Sequence, residues 1–123
     1  KKVSLAGIKS KAILVHFWSD GDNEQVLFNT DVLKPLYEKY HSRGLEIYSV
    51  CLSMDKALWA SIVKNQKLPW VNVCDGKGVT SPAVTLYNVT TLPYSVLIFD
   101  GEISSVAIKG ERDLRARLDK ILN

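Results

Sequence analysis

Cysteine is scarce in this chain: Cys51 and Cys74 are the only two. Two thiols cannot build the disulfide framework of a small secreted scaffold. They do not make a structural zinc site either, which wants about four ligands. The two histidines, His16 and His41, do not make up the shortfall, so neither a metal nor a cofactor is expected. No apolar run approaches the ~20 residues of a membrane span, and no membrane insertion is expected. The opening Lys1-Lys2-Val3-Ser4 is not a secretory signal. Charge of one sign is not in excess, with 16 basic and 13 acidic side chains for a net charge of +3. The basic residues between Arg112 and Lys120 alternate with Asp113 and Asp119, as on a solvated helix face. Nucleic-acid binding would want a concentrated basic stripe with stacking aromatics, and is not expected.

What is present suits one domain. The length of 123 residues lets a globule bury roughly two-thirds of the surface its unfolded chain exposes. Repeats, low-complexity tracts and linkers are absent, and residues 1–123 read as a single domain. Residues 12–18 (AILVHFW) form a nearly continuous apolar run, as expected of a strand covered on both faces. A polar stretch, residues 19–24, leads into an expected helix over residues 24–40, with Leu33, Leu36, Tyr37 and Tyr40 on its buried face. Pro35 lies inside that pattern and predicts a kink or a restart. Residues 45–52 predict a second buried strand. Residues 55–65 predict a helix with Leu58, Trp59, Ile62 and Val63 inward, and residues 70–74 a short strand. Ser81-Pro82 has the pattern of an N-cap before a proline-led helix through Tyr87. Residues 94–99 predict a strand, Asp100-Gly101 a hairpin turn, and residues 103–108 its partner. A last helix begins at Gly110, with Leu114, Leu118, Ile121 and Leu122 on one side. This alternation predicts an α/β fold, a mixed β-sheet flanked by helices.

Three stretches carry a resemblance. One is Lys11 through Trp18, ending in Phe17-Trp18. Another joins Leu36-Tyr37-Glu38-Lys39-Tyr40 to Gly44-Leu45-Glu46-Ile47-Tyr48-Ser49-Val50. The most specific is Leu86-Tyr87-Asn88-Val89, then Pro93, then Leu97-Ile98-Phe99-Asp100-Gly101. Together they resemble the thioredoxin-like fold, and within it the extracytoplasmic thiol–disulfide oxidoreductases of the TlpA and ResA type. The resemblance implies a three-layer sandwich and a cis-proline loop at Pro93. It implies an extracytoplasmic setting, the bacterial periplasm or an envelope anchor. The family normally carries a strand before the position of Lys1, so the chain is expected to be the C-terminal part of a longer polypeptide.

The departure comes at the catalytic loop. In the family, Phe-Trp is followed by Cys-x-x-Cys at a helix start, where the helix N-terminus lowers the first cysteine's pKa and generates a thiolate. Counting forward from Phe17-Trp18 puts that pair at Asp22 and Gln25; counting back from Leu36-Tyr37 puts it at Asn23 and Val26. Neither count meets a cysteine, and without a thiolate there is no exchange at that site. Acidic residues stand there instead: Asp20, Asp22 and Glu24. One of them is expected to cap the helix; a cation site is the rival reading, though the loop lacks the later glycine and the closing glutamate of a calcium loop. His16, within a buried strand, reads as a core histidine before a catalytic one.

By the resemblance, the groove between the first helix and the cis-proline loop recognises extended peptide. Here Trp18, Asp22, Leu92, Pro93 and Tyr94 would line it, whereas Trp59 and Trp70 would pack their own elements. Partners would be a protein or an extended peptide, or other domains of the same chain. Cys51 and Cys74 end strands that are neighbours in the family. They read as buried free thiols, as a structural disulfide, or as a redox-active pair. The expected function is a redox-inactive binding or structural module. The alternative is an oxidoreductase using Cys51 and Cys74. A third class, a domain that only packs against the rest of its chain, would expose an apolar patch. Asn88-Val89-Thr90 has the pattern of a glycosylation sequon and nothing more.

Overall fold

The structure, a computed structural model, describes residues 10–104 and 107–123. The chain order is β1 (Ala12–Trp18), α1 (Asn23–Phe28), α2 (Lys34–Tyr40), β2 (Leu45–Cys51), α3 (Lys56–Gln66), β3 (Val71–Val73), α4 (Pro82–Leu86), β4 (Tyr94–Phe99), β5 (Glu102–Ile103) and α5 (Gly110–Leu122). The strands form one mixed sheet in the order β3-β2-β1-β4-β5. β1 runs parallel to β2, and β2 to β3, while β4 is antiparallel to β1 and to β5.

β1 explains the architecture. All seven of its residues are buried, because it has a strand on each side and a helical layer on each face. Ala12 and Leu14 point to one core, with Leu33, Leu36, Tyr37 and Tyr40 and with Leu114, Leu118 and Leu122 of α5. Ile13, Val15 and Phe17 point to the other, against Ala83 and Val84 of α4 and against Tyr87, Val89 and Leu92. Alternation along a strand thus yields the α/β three-layer sandwich, a mixed sheet between helices.

The restart expected at Pro35 is there, as α2 begins at Lys34, and three details differ from expectation. Pro35 removes the N–H that would reach back to the Asp31 carbonyl. The chain meets this with a π-helical turn over Asn29–Leu33, in which the Lys34 N–H donates to the Asn29 carbonyl, so α1 and α2 stay joined. α3 has no fully buried residue, and Leu58 is 46% exposed. The expected inward face is only half covered, since the sheet edge on this side is a strand of three residues. Ser81 stands at the N-cap of α4 with Pro82 first in the helix, but its hydroxyl makes no capping bond: it donates to Asp75 Oδ2 at 2.7 Å, a charged acceptor that outcompetes the backbone. Finally, Asp100 and Gly101 both have positive φ (55° and 80°), the geometry of a tight hairpin turn. The regular partner strand ends at Ile103, but the backbone beyond it still bonds β4, the Ser104 N–H donating to the Leu97 carbonyl and the Ile108 N–H to the Ser95 carbonyl, both at 2.8 Å, while residues 105 and 106 of the expected strand lie outside the described residues. Gly44, at φ 110°, is required: a Cβ there would meet Lys11 Cβ at 2.7 Å.

Candidate functional site

The pairing brings the C-terminal ends of β1, β2 and β3 and the N-terminal end of β4 to one edge of the sheet. In open α/β sheets such strand ends are where sites are built. The loop after β1 is tied down by Gln25, which is buried. Gln25 Oε1 accepts from the Ser19 N–H at 2.8 Å, and its Nε2 donates to Asp22 Oδ2 at 3.0 Å. Asp22 is the N-cap of α1, its Oδ1 accepting from the Glu24 N–H at 3.0 Å. The Gln25 amide, then the Glu24 N–H, hold the Asp22 carboxyl below its ordinary range. Asn23 is the first residue of α1 and is exposed; Val26 is half-buried. Carboxylate and carboxamide thus stand where the counts place the family's sulfurs.

The three acids do not converge. Asp22 faces its own helix, and Asp20 Oδ2 accepts from the Ser53 hydroxyl at 2.6 Å. Glu24 is exposed in the first turn of α1. Among the described residues, no group of three or more His, Cys, Asp or Glu is placed to hold a metal ion. Gln25 as a clamp escapes sequence reading, because its partner on one side is a backbone N–H. Gln25→Ala, which strands the Ser19 N–H and frees the Asp22 carboxylate, should lower unfolding free energy by about 1–3 kcal/mol in urea denaturation. An unchanged midpoint would mean the loop holds without the clamp.

Trp18 does not line a groove. It is fully buried, and its Nε1 donates to Ser49 Oγ at 2.9 Å. Strand alternation puts it on the face of Leu14 and His16, the face on which Phe28 of α1 stacks against His16. The other expected residues remain accessible at the edge: Asp22 and Pro93 exposed, Leu92 and Tyr94 half-buried. The Leu92–Pro93 peptide bond is cis. Tyr94 pairs with Phe17 across the ladder, their rings 6.2 Å apart, so Pro93 follows the end of β1.

Beneath this edge runs a polar row that only the register reveals: Asn72, Ser49, His16 and Ser95 lie side by side across four strands. His16 Nδ1 shares a 2.5 Å hydrogen bond with Ser95 Oγ, and the ring stacks on Phe28 at 5.5 Å. Its Nε2 has no hydrogen-bond partner among the described residues. Burial alone pushes the His16 pKa from 6.5 down to about 4, so the ring is neutral at pH 7 and is a core residue.

Both cysteines are free thiols, Cys51 buried and Cys74 half-buried. Burial, then the Asp20 carboxylate, then Cys74 push the Cys51 thiol far above its ordinary range. Cys74 Sγ donates to the Ser53 carbonyl at 3.7 Å. Elsewhere, a cavity of about 290 Å³ lies between the hairpin and α5, lined by Phe99, Ile103 and Ile121 among others. It is at the opposite end of the sheet, since Phe99 pairs with Ala12. No helix among the described residues is long and apolar enough to cross a membrane.

No protein-family model and no curated protein sequence matches the chain. Solved structures do. A thioredoxin-like protein from Bacteroides vulgatus is 34% identical with a TM-score of 0.75, over 92% of this chain and 72% of that one. The thioredoxin domain of a thiol-disulfide oxidoreductase from Bacteroides vulgatus is 25% identical with a TM-score of 0.83, over 98% of this chain and 86% of the other. A thiol-disulfide oxidoreductase from Bacteroides fragilis is 25% identical with a TM-score of 0.81, over 91% and 82%. With the strand order, the sheet-edge loops and these likenesses in agreement, the chain belongs to the thioredoxin-like family, is similar in structure to thiol-disulfide oxidoreductases, and carries no Cys-x-x-Cys pair.

Proposed function

We propose that the domain binds an extended peptide or protein segment at the strand-end loops and carries out no thiol–disulfide exchange there. Asp22 carries the reading. Its carboxylate, rather than a thiolate, occupies the start of α1 and engages the Glu24 N–H, and exchange has no first step without a thiolate. Recognition has no such requirement, since an extended peptide is held by main-chain hydrogen bonds and side-chain pockets. Pro93, flanked by Leu92 and Tyr94, offers an accessible surface at the same end of the sheet as Asp22 for that contact. Fold alone does not assign a role; the support is the acidic cap and the accessible loop together. The same reading has the domain working outside the cytoplasm within a longer polypeptide, whose other segments are candidate ligands. One of the similar structures is itself a thioredoxin domain of a larger oxidoreductase.

The test is a titration of the isotope-labelled, reduced chain with a panel of extended peptides, followed by amide resonances. Saturable shifts are expected at Asp22, Leu92 and Tyr94. Shifts confined to other faces, or none with any peptide, would sink the reading.

A further inference from the structure

We infer that Cys51 and Cys74 form a second, separate redox site: a dithiol that closes to an intramolecular disulfide by exchange with an external disulfide, linking β2 to β3 beside the Asp20 loop. The inference goes beyond peptide recognition and stands whether or not a peptide binds. It rests first on register. β2 and β3 pair Tyr48 with Val71, Ser49 with Asn72 and Val50 with Val73. One further step sets Cys51 opposite Cys74. Alternation puts Cys51 on the face of Ser49 and Cys74 on the face of Asn72, and those two residues are partners. Neighbouring strands lie ~4.8 Å apart, inside the ~4.4–6.8 Å Cα separation that disulfides span. The hydrogen bond from Cys74 Sγ to the Ser53 carbonyl, two residues beyond Cys51, turns the second sulfur back over the end of β2.

The two thiols differ in access, and this orders the chemistry. Cys51 is 1% exposed and cannot meet an outside reagent, while Cys74 is half-buried. The Cys74 thiolate attacks one sulfur of a small disulfide such as oxidised glutathione. That S–S bond breaks, one glutathione thiolate leaves and takes up a proton, and a mixed disulfide forms on Cys74. Cys51 then attacks Cys74 Sγ, the mixed S–S bond breaks, and the second glutathione leaves as a thiol carrying the Cys51 proton. Two protein thiols are oxidised by two electrons, and one glutathione disulfide is reduced to two thiols.

Closure is felt at the peptide-binding edge. It removes the Cys74 S–H that holds the Ser53 carbonyl, and the Ser53 hydroxyl holds Asp20 at 2.6 Å.

The test incubates the folded, intact chain with oxidised glutathione, blocks residual thiols and maps the peptides by mass. The expected result is loss of both free thiols, with Cys51 and Cys74 peptides joined and two hydrogen atoms lost. Dithiothreitol should reverse it, and amide shifts should appear at Asp20 and Ser53. Cys51→Ala should stop at a glutathione adduct on Cys74, and Cys74→Ala should leave Cys51 unmodified while folded. The wild-type chain carries the decisive readout, so a variant that fails to fold does not blunt the test. Two thiols left free in the folded wild type, or a lasting adduct on Cys74 with no internal bond, would overturn the inference. Modification of Cys51 in folded Cys74→Ala would overturn it as well.

Discussion

Replacing Trp18 with alanine lowers the unfolding free energy by about 3–5 kcal/mol, the usual cost of deleting a large buried aromatic. Trp18 is completely buried at the end of the central strand. Its loss empties the core next to the strand-end loops and leaves the buried Ser49 hydroxyl without the indole N–H at 2.9 Å. Trp18→Phe keeps most of the ring volume and isolates the second effect, about 1–3 kcal/mol for the stranded hydroxyl. Equilibrium urea denaturation of the three proteins measures both steps. A ligand-lining tryptophan would behave otherwise, with Trp18→Ala costing affinity and little stability. That outcome would return Trp18 to the groove.

Stability falls as the solution is acidified from pH 6.5 to about pH 4, and His16 is the main cause in that window. Burial depresses its folded-state pKa from 6.5 to about 4, so between those values the unfolded chain binds a proton that the folded chain refuses. By linkage, stability is fully present above pH 6.5 and drops by about 1.4 kcal/mol per pH unit below it. The total is roughly 3 kcal/mol by pH 4, after which this group contributes no further slope. His16→Phe and His16→Asn carry no such proton, and their denaturation midpoints should be nearly flat over the same interval. Parallel slopes in wild type and both variants would place the acid sensitivity elsewhere. The carboxyl of Asp22 acts lower on the scale. Its pKa is held down by Gln25 and Glu24, so its contribution is lost only as pH falls below the ordinary carboxylate value.

Much of the fold is legible in the residues because single strands carry it. The nearly continuous apolar run of β1 reads as central, and Asp100-Gly101 can only be a tight turn when both residues need positive φ. The site is less legible, because its contacts join residues far apart in the chain. His16, Ser49, Ser95 and Asn72 look like isolated polar interruptions until the register aligns them. Trp18 shares the alternation of Leu14, which gives its face; its complete burial depends on where the surrounding helices and loops land. Leu58 shows the converse, a helical period whose apolar side meets too little sheet to be buried. Pro35 announces an irregularity without saying which, and the π-helical turn is one of several solutions.

Among the described residues, the two outermost strands of the sheet are its shortest, three residues in β3 and two in β5. A foreign strand laid along either would gain only a few main-chain hydrogen bonds before running out of template. Such brevity is one way in which sheets avoid sideways stacking into aggregates. Among the described residues, then, lateral growth of the sheet is a poor route to self-association, and an incoming chain finds more to hold at the strand ends than along the flanks.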